Sequence, residues 1–580
     1  MSISQQRTII QVFRKYSHSL GPEELEFLET ILDRHEIPDD EVELSMELIA
    51  KEYNKQDGSS QFLNKYTRPA DRCHKSDANM KVAFHILKRV YDNLQDAGEH
   101  GTQKEDVHID PDNHLFFVNA FDMPAWHWSQ ERGTFEKGSQ ALASLGSAES
   151  RVMAMRDRLN VIRQTILRNE HFTPSTIPTR DREHLLTIRS TKQLLGRADQ
   201  RFLLFGMLSH TKEGKLCLED QDGTVELDFS QLDQPSEGLF TEGAFVLVEG
   251  DYTEDATFRV IAIGHPPCES RETARSIYGH VDFLGKGATT PLEDSQYAVR
   301  IQEDFSDLTF FVLSDVWLDR PDTLRGLHKI FDNCIENNFI PKVMVLCGNF
   351  TSRGIAQGSS RDIQKYKGRP SHSHYISYID LTVAYNTEGF DSLADLIASY
   401  AHLTHNTHFV LVPGPLDLAM NSILPRRPLL SSFVSRLKSK VPKLHLGSNP
   451  CRIKFLGQEI VIFREDMMAR MLRNLVGVKP SVRNEDLKRY LVQTILDQSH
   501  LTPLTSNIQP VLSEFDHALR LYPLPTAVIL ADKYESYHMT YEGCHVLNPG
   551  SFIGQSFMFS SYTPANRESE PCVLEMNIDD

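Results

Sequence analysis

From about residue 305 onward the chain alternates short, almost uninterrupted apolar runs with segments of helical spacing. The runs fall at 310–313, 343–346, 409–412, 460–463 and 528–530, and the helical segments at 322–337, 392–402, 486–497 and near 464–474. The short apolar runs read as strands, and strands alternating with helices predict an α/β domain. Each run stops at a tight turn. The stretches that follow are Leu313-Ser314-Asp315-Val316-Trp317, Leu346-Cys347-Gly348-Asn349-Phe350, Val412-Pro413-Gly414-Pro415-Leu416-Asp417 and Ala531-Asp532-Lys533-Tyr534, and Asn548-Pro549-Gly550-Ser551 closes the series.

A chain of 580 residues exceeds one core and predicts roughly three to four domains. Its 40% hydrophobic and 24% charged content is that of a globular protein. No apolar stretch approaches the ~20 residues that span a bilayer, so no membrane is expected among its partners. The start, Met1-Ser2-Ile3-Ser4-Gln5-Gln6-Arg7, lacks the basic and apolar regions of a secretory signal, and none is expected. The eight cysteines (Cys73, Cys217, Cys268, Cys334, Cys347, Cys451, Cys544 and Cys572) stand far apart, which argues against a zinc or iron–sulfur knuckle and for a reducing compartment, cytosol or nucleus. Cys217 and Cys347 read as small core residues. A net charge of -18 opposes a whole-surface grip on a phosphate backbone and favours protein partners.

The first hundred residues predict an all-α bundle. Ile9, Val12, Phe13, Tyr16 and Leu20 recur at helical spacing, and Gly21-Pro22 ends that segment and opens one carrying Leu25, Leu28 and Leu32. Pro38-Asp39-Asp40 opens a third with Val42, Leu44, Leu48 and Ile49, which Gly58-Ser59-Ser60 is expected to break. Val82, Ile86, Val90 and Leu94 trace a last helix before Gly98. Such a module is core-forming, and it is also a common docking unit, with Phe13 and Tyr16 as candidate partner-binding residues. Residues 107–118 and Trp126-His127-Trp128 read as a connector, on which Trp126 and Trp128 are candidate interface anchors. A long amphipathic helix follows, with Val152, Met155, Leu159, Ile162, Ile166 and Leu167, ended by Pro174 and Pro178. The expected divisions are a helical domain at 1–100, a connector at 101–184, a barrel domain at 185–300 and an α/β domain at 301–580.

Five short strands at 202–208, 216–220, 225–229, 245–250 and 258–262, joined by glycine turns, predict an OB-type barrel. A single-strand-binding groove needs a basic track with stacking aromatics. Here thirteen acids between Glu213 and Asp255 face only Lys212, Lys215 and Arg259, with Lys192, Arg197 and Arg201 just before. A protein-binding barrel fits that balance better.

The turns after the apolar runs resemble those of a calcineurin-like phosphoesterase. That family holds two metals with Asp-x-His, Gly-Asp-x-x-Asp, Gly-Asn-His-Asp/Glu and Gly-His-x-His, because carboxylates and imidazoles must converge on both ions. Asp315 is kept here, but Trp317 stands in the first histidine slot, Asn349 replaces the bridging carboxylate, and Pro415 and Leu416 replace the next Asn-His pair. The last motif reads Asp532-Lys533-Tyr534-Glu535, where Lys533 is expected to put a cation in the metal's place. No metal, cofactor or catalytic residue is therefore expected. The enzymatic alternative is a metal-dependent phosphodiesterase or exonuclease on Asp315, Asp417, Asp532 and Glu535, and a third reading is a stand-alone single-strand-binding barrel. The turn residues Gly348, Gly414 and Gly550 persist although the ligands do not. His402, His405 and His408, with His372 and His374, are spaced for a helix end and read as solvated or capping residues. Gly358-Ser359-Ser360 lacks the setting of a nucleophile elbow, and 359–385 reads as a surface insertion.

A barrel followed by a disarmed phosphoesterase domain resembles the B-subunit family of DNA polymerases alpha, delta and epsilon. The epsilon branch matches best, through LSDVWLD (313–319), CGNF (347–350), VPGP (412–415), SILPRRP (422–428), NPCRI (449–453), FRED (463–466), LTPL (501–504), ADKY (531–534) and NPGSF (548–552). Barrel matches fall at 216–220 and 223–225. The resemblance implies a non-catalytic accessory subunit of the DNA polymerase epsilon holoenzyme, working in the nucleus in DNA replication and leading-strand synthesis. It implies that this subunit holds the C-terminal metal-binding domain of the catalytic chain. It also implies that the helical module, similar to the small domain of AAA+ proteins, docks on the GINS part of the replicative helicase. The resemblance further implies that small histone-fold subunits complete the assembly and that DNA is met only through the complex.

Overall fold

The computed structural model describes residues 3–16, 18–35, 37–39, 41–64, 80–99, 110–138, 146–172, 186–232, 236–353, 378–417, 423–477 and 484–575. Asp40, Cys73, Val107, Pro174, Pro178, Gly358-Ser359-Ser360, His372 and His374 lie outside them. The chain divides into two compact units.

The first unit comprises residues 1–114 with 276–282 and 286–298. Its helices are Ile3–Lys15, Pro22–Arg34, Val42–Asn64 and Phe84–Glu99. Proline at the start of the second suits a position whose N–H has no intrahelical partner. Ile9, Val12, Phe13, Leu28, Leu32, Met46, Tyr53, Leu87 and Val90 form one buried cluster. Phe13 is fully buried and Tyr16 nearly so, which corrects the reading of these two as partner contacts: the stripe is turned inward. The unit is not purely helical either. Strand β1 (His18–Ser19) runs parallel to β2 (Met80–Lys81). The third helix continues through Gly58-Ser59-Ser60 and the fourth through Gly98; a single glycine costs a helix only ~1 kcal/mol relative to alanine. Residues 276–298 were placed with the barrel by sequence, yet His280 packs its ring on Tyr16 at 5.5 Å and Glu293 pairs with Lys51.

The second unit holds the barrel. Strands β3 (Leu115–Asn119), β4 (Trp126–Ser129) and β5 (Thr134–Lys137) precede helix Ala148–Arg168 and the short β6 (Ile188–Arg189). The barrel strands are β7 (Gln200–His210), β8 (Leu216–Glu219), β9 (Thr224–Asp228), β10 (Phe245–Tyr252) and β11 (Thr257–Gly264). Pairing of β10 with both β11 and β7 closes the sheet. Gly250 marks a bulge where an added Cβ would sit 2.2 Å from the Arg259 carbonyl oxygen, so only glycine fits. Leu204, Leu218, Val246, Val248 and Phe258 fill the interior.

Two six-stranded sheets follow. The first has the order β15-β14-β13-β12-β21-β22, built from β12 (Phe310–Leu313), β13 (Val343–Cys347), β14 (His408–Val412), β15 (Leu444–Leu446), β21 (Met558–Thr563) and β22 (Glu568–Val573). The second runs β19-β20-β18-β17-β16-β3, with β16 (Cys451–Phe455), β17 (Gln458–Phe463), β18 (Ala527–Leu530), β19 (Tyr537–Tyr541) and β20 (Cys544–Asn548). Strands β12 to β15 are mutually parallel, as are β17, β18 and β20. Every residue of β12, β13, β14 and β18 is buried, which is why these strands appear in sequence as unbroken apolar runs. Phe310 of β12 meets Phe455 of β16 at 5.9 Å between the sheets, and helices Pro321–Glu336 and Tyr378–Ala398 cover the outer face of the first.

Three expectations are corrected here. Residues 115–119 are an edge strand paired antiparallel with β16, not a connector. Residues 378–385, assigned to a surface insertion, begin a helix that runs to Ala398. His408 is buried at the head of β14, with Nδ1 2.9 Å from Nε2 of His445, whereas His402 and His405 are exposed as expected.

Helix Ala148–Arg168 packs Leu159, Ile162 and Ile166 on Phe205 and Phe245 of the barrel, while Val152 and Leu167 of the predicted stripe are exposed. Its polar side clasps the turn at 513–520. Arg158 forms a two-pronged pair with Asp516, and Arg520 reaches Asp157 at 3.1 Å. His517 lies buried there, its Nε2 3.3 Å from the Met123 carbonyl oxygen, and burial pushes its pKa down to about 4. Below the ordinary histidine value the unfolded chain takes up a proton that the folded chain refuses, so stability is lost as pH falls from about 6.5 to about 4. His517→Gln is expected to flatten that limb by up to about 3 kcal/mol in pH-dependent urea melts. An unchanged pH profile would refute the assignment.

Candidate functional site

The carboxyl ends of the parallel strands of both sheets bring six turns together, the usual place for a site in such sheets. Ser314 and Asp315 follow β12, Gly348 and Asn349 follow β13, and Pro413 and Gly414 follow β14. From the second sheet Arg464, Glu465 and Asp466 follow β17, Asp532 follows β18, and Asn548 ends β20.

The centre is occupied by a side chain that sequence reasoning left without a role. Arg464 is fully buried. Its Nη2 donates to Asp315 Oδ1 at 2.7 Å, Nη1 to Asp466 Oδ1 at 2.8 Å, and Nε to the Gly348 carbonyl oxygen at 2.6 Å. Burial alone would push the guanidinium down, but the carboxylates of Asp315 and Asp466 outweigh it and hold it charged. For Asp466, burial acts upward, and Arg464 more than reverses it.

The remaining acids are engaged elsewhere. Asp417 Oδ1 accepts from the Phe350 N–H at 2.6 Å and Oδ2 from the Gly414 N–H at 2.7 Å, tying the β13 turn to the β14 turn. Burial raises its pKa to about 6 against those two bonds. Asp532, also raised to about 6 by burial, accepts from the Met468 N–H at 2.8 Å and the Tyr534 N–H at 3.1 Å. Asn349 donates from Nδ2 to Asp315 at 3.3 Å and accepts at Oδ1 from the Leu416 N–H at 2.8 Å. Asn449 and Asn548 brace the frame by bonding the Arg464 backbone and the Asp532 N–H. Glu465 is wholly buried between Arg426, at 2.5 Å, and Arg470, at 2.7 Å.

Of the acids offered for an enzymatic site, the structure thus places Asp315, Asp417 and Asp532 on separate partners. Glu535 leaves the group: it is largely exposed and pairs with Lys488 at 3.0 Å. Lys533 needs correcting too. Its side chain is 57% exposed at the rim, 3.5 Å from Asp466, and the buried cation is Arg464 instead. Trp317 and Leu416 lie beside the pocket, the indole Nε1 being buried without a hydrogen-bond partner among the described residues. Trp126 and Trp128 sit elsewhere, half-buried on the β4–β5 hairpin against Phe283 and Phe135. Among the described residues no three His, Cys, Asp or Glu side chains gather as a metal site requires. The missed signal was the Arg-Glu-Asp run directly after β17, at the same strand-end position as the acids noticed elsewhere.

The turns leave no slack. A Cβ at Gly348 would fall 2.1 Å from Asp417 Oδ2 and 2.5 Å from the Gly414 nitrogen. Gly348→Ala is expected to cost on the order of 3 kcal/mol in chemical denaturation; a loss below about 0.5 kcal/mol would contradict this packing. Asp315 takes a left-handed φ of 56°, which aspartate tolerates better than most residues.

Comparison with known proteins bears on this arrangement. Residues 148–267 match the family described as DNA polymerase epsilon subunit 2-like, OB-fold domain, and this match takes in helix Ala148–Arg168 along with the barrel. Residues 310–539 match the family of the B subunits of DNA polymerases alpha and epsilon. The chain is 34% identical to DNA polymerase epsilon subunit 2 of Bos taurus, over 83% of this chain and 87% of that one. It is 35% identical to the Homo sapiens protein of the same name, over 80% and 84%, and 30% identical to that of Drosophila melanogaster, over 78% and 81%. With that identity sustained over most of both chains, and with the barrel and five of the six strand-end turns (all but that at Asn548) inside a matched segment, this chain belongs to the DNA polymerase epsilon B-subunit family.

Proposed function

We propose that this chain is a non-catalytic scaffold subunit of a nuclear replicative polymerase. In this reading the α/β half is a phosphoesterase-like domain whose site has been disarmed. It forms a platform with the barrel for the C-terminal domain of the catalytic chain, and the N-terminal helical unit links the assembly to the GINS part of the replicative helicase. Histone-fold subunits and DNA join through the complex. The observation that carries this is Arg464: its guanidinium lies among the strand-end turns, bonded to the one acid, Asp315, retained from the first metal motif. Catalysis at such a site needs open positions on a metal, and here a side chain fills the space.

The barrel's charge agrees. Arg201 is paired with Glu249 and Asp251, and Lys215 with Glu226, so basic groups that could track a phosphate backbone are turned to the barrel's own acids. Co-expression with the C-terminal region of the polymerase catalytic chain is expected to yield a stable, co-purifying complex. The same preparation should show no manganese-supported hydrolysis of a generic phosphodiester, and the free chain no salt-dependent affinity for oligonucleotide. Hydrolysis abolished by Asp315→Ala would instead favour the enzyme, and failure to co-purify would sink the scaffold.

A further inference from the structure

The phosphoesterase resemblance implies a two-metal centre at these strand ends, and the residues present do not fit one. Two divalent ions need several carboxylates and imidazoles converging on a shared bridge. The bridging position holds a neutral amide, Asn349, and the histidine slots hold Trp317 and Leu416. Yet the turns are neither collapsed nor loosened for want of ions to join them. Asp315 from the first sheet and Asp466 from the second still face one another across a buried centre, and both are satisfied.

We propose that Arg464 is a resident replacement for the metal centre: a tethered monovalent cation, held on the β17 turn by Asp466, that joins the second sheet to the first through Asp315 and the Gly348 carbonyl oxygen. The ion pairing supports it. The guanidinium bonds both Asp315 and Asp466, the Lys533 ammonium stands 3.5 Å from Asp466 at the rim, and Asn349 adds a neutral donor to Asp315. The geometry supports it as well. The planar fork reaches three acceptors on three different turns at 2.6–2.8 Å, a cross-link that a lysine's point charge cannot reproduce. The carbonyl of Gly348 is drawn into the same cage, and the Gly348 N–H is held by the Val412 carbonyl oxygen at 2.7 Å, so the β14 turn is tied in too. The pocket is thus a cation site of guanidinium class that is permanently filled from within.

The inference rests on the non-catalytic reading but is tested separately, by stability and not by hydrolysis. The native full-length chain should melt at the same temperature with a chelator, with manganese or with zinc. Arg464→Ala should melt lower by on the order of 10 °C, and millimolar methylguanidinium, far below denaturing levels, should recover part of that loss in the variant and nothing in the native chain. Arg464→Lys should recover less than half. If Arg464→Ala does not fold, the cycle of Asp315→Asn with Arg464→Lys keeps the question open to measurement: the double variant should lose less than the two single losses combined. A melt that depends on metal, a native-like Arg464→Ala, absence of rescue or a strictly additive cycle would each overturn the proposal.

Discussion

Phe13→Asp is expected to unfold the N-terminal helical unit. Phe13 is fully buried with Val12, Leu28, Leu32 and Met46, and a carboxylate there has no partner to offset its desolvation. The loss of the ring's contacts and the buried charge together exceed about 4 kcal/mol, a large share of the stability of a unit this size. Limited proteolysis should then cut between residues 3 and 99 under conditions that leave the barrel and the two sheets intact. Under the proposed function the variant still co-purifies with the polymerase catalytic chain and loses only what the helical unit supplies. A variant that resists proteolysis as the native chain does, or that drops the catalytic chain, would contradict this division of labour.

The second large effect is expected at the clasp between helix Ala148–Arg168 and the 513–520 turn. Arg158 and Asp516 are both buried, and the arginine also reaches the Thr502 carbonyl oxygen at 3.3 Å. Burial would raise the Asp516 carboxyl, but Arg158 and then His500 hold it well below the usual carboxylate range. Arg158→Met removes the cation bonded to that carboxylate, leaving Arg520 to act on it without a bond, and is expected to cost about 3–5 kcal/mol near neutral pH. The effect should depend on pH in a definite direction. In the native chain burial, then Arg158, lowers the pKa of His500, whose Nε2 lies 3.5 Å from Asp516 Oδ1. With the arginine gone, only the carboxylate faces the imidazole, and its protonation becomes favourable. The variant should therefore regain part of its lost stability as pH falls from 7.5 to 5.5, while the native chain gains none. Urea melts at the two pH values decide it; a penalty equal at both would remove His500 from the account.

Much of the architecture was legible in the sequence because strands buried on both faces must be apolar throughout. The runs at 310–313, 343–346, 409–412 and 528–530 announced themselves for that reason, each falling within a buried strand. The barrel was legible through its alternation and glycine turns. Breakers misled at Gly58-Ser59-Ser60 and Gly98, where the helices continue past them. Edge strand β3 was missed because five residues at a sheet margin carry too little periodicity to stand out from a connector.

The pocket was legible only in part. Local pattern determined the strand ends and the turn residues around it, since each of these is a property of a few neighbouring residues. Tertiary structure alone decided that Arg464, about 150 residues from Asp315 in the chain, would close on it, and that Lys533 would stay at the rim. Charge pairing across two sheets depends on which strand ends meet, and that is fixed by packing rather than by any short stretch of sequence.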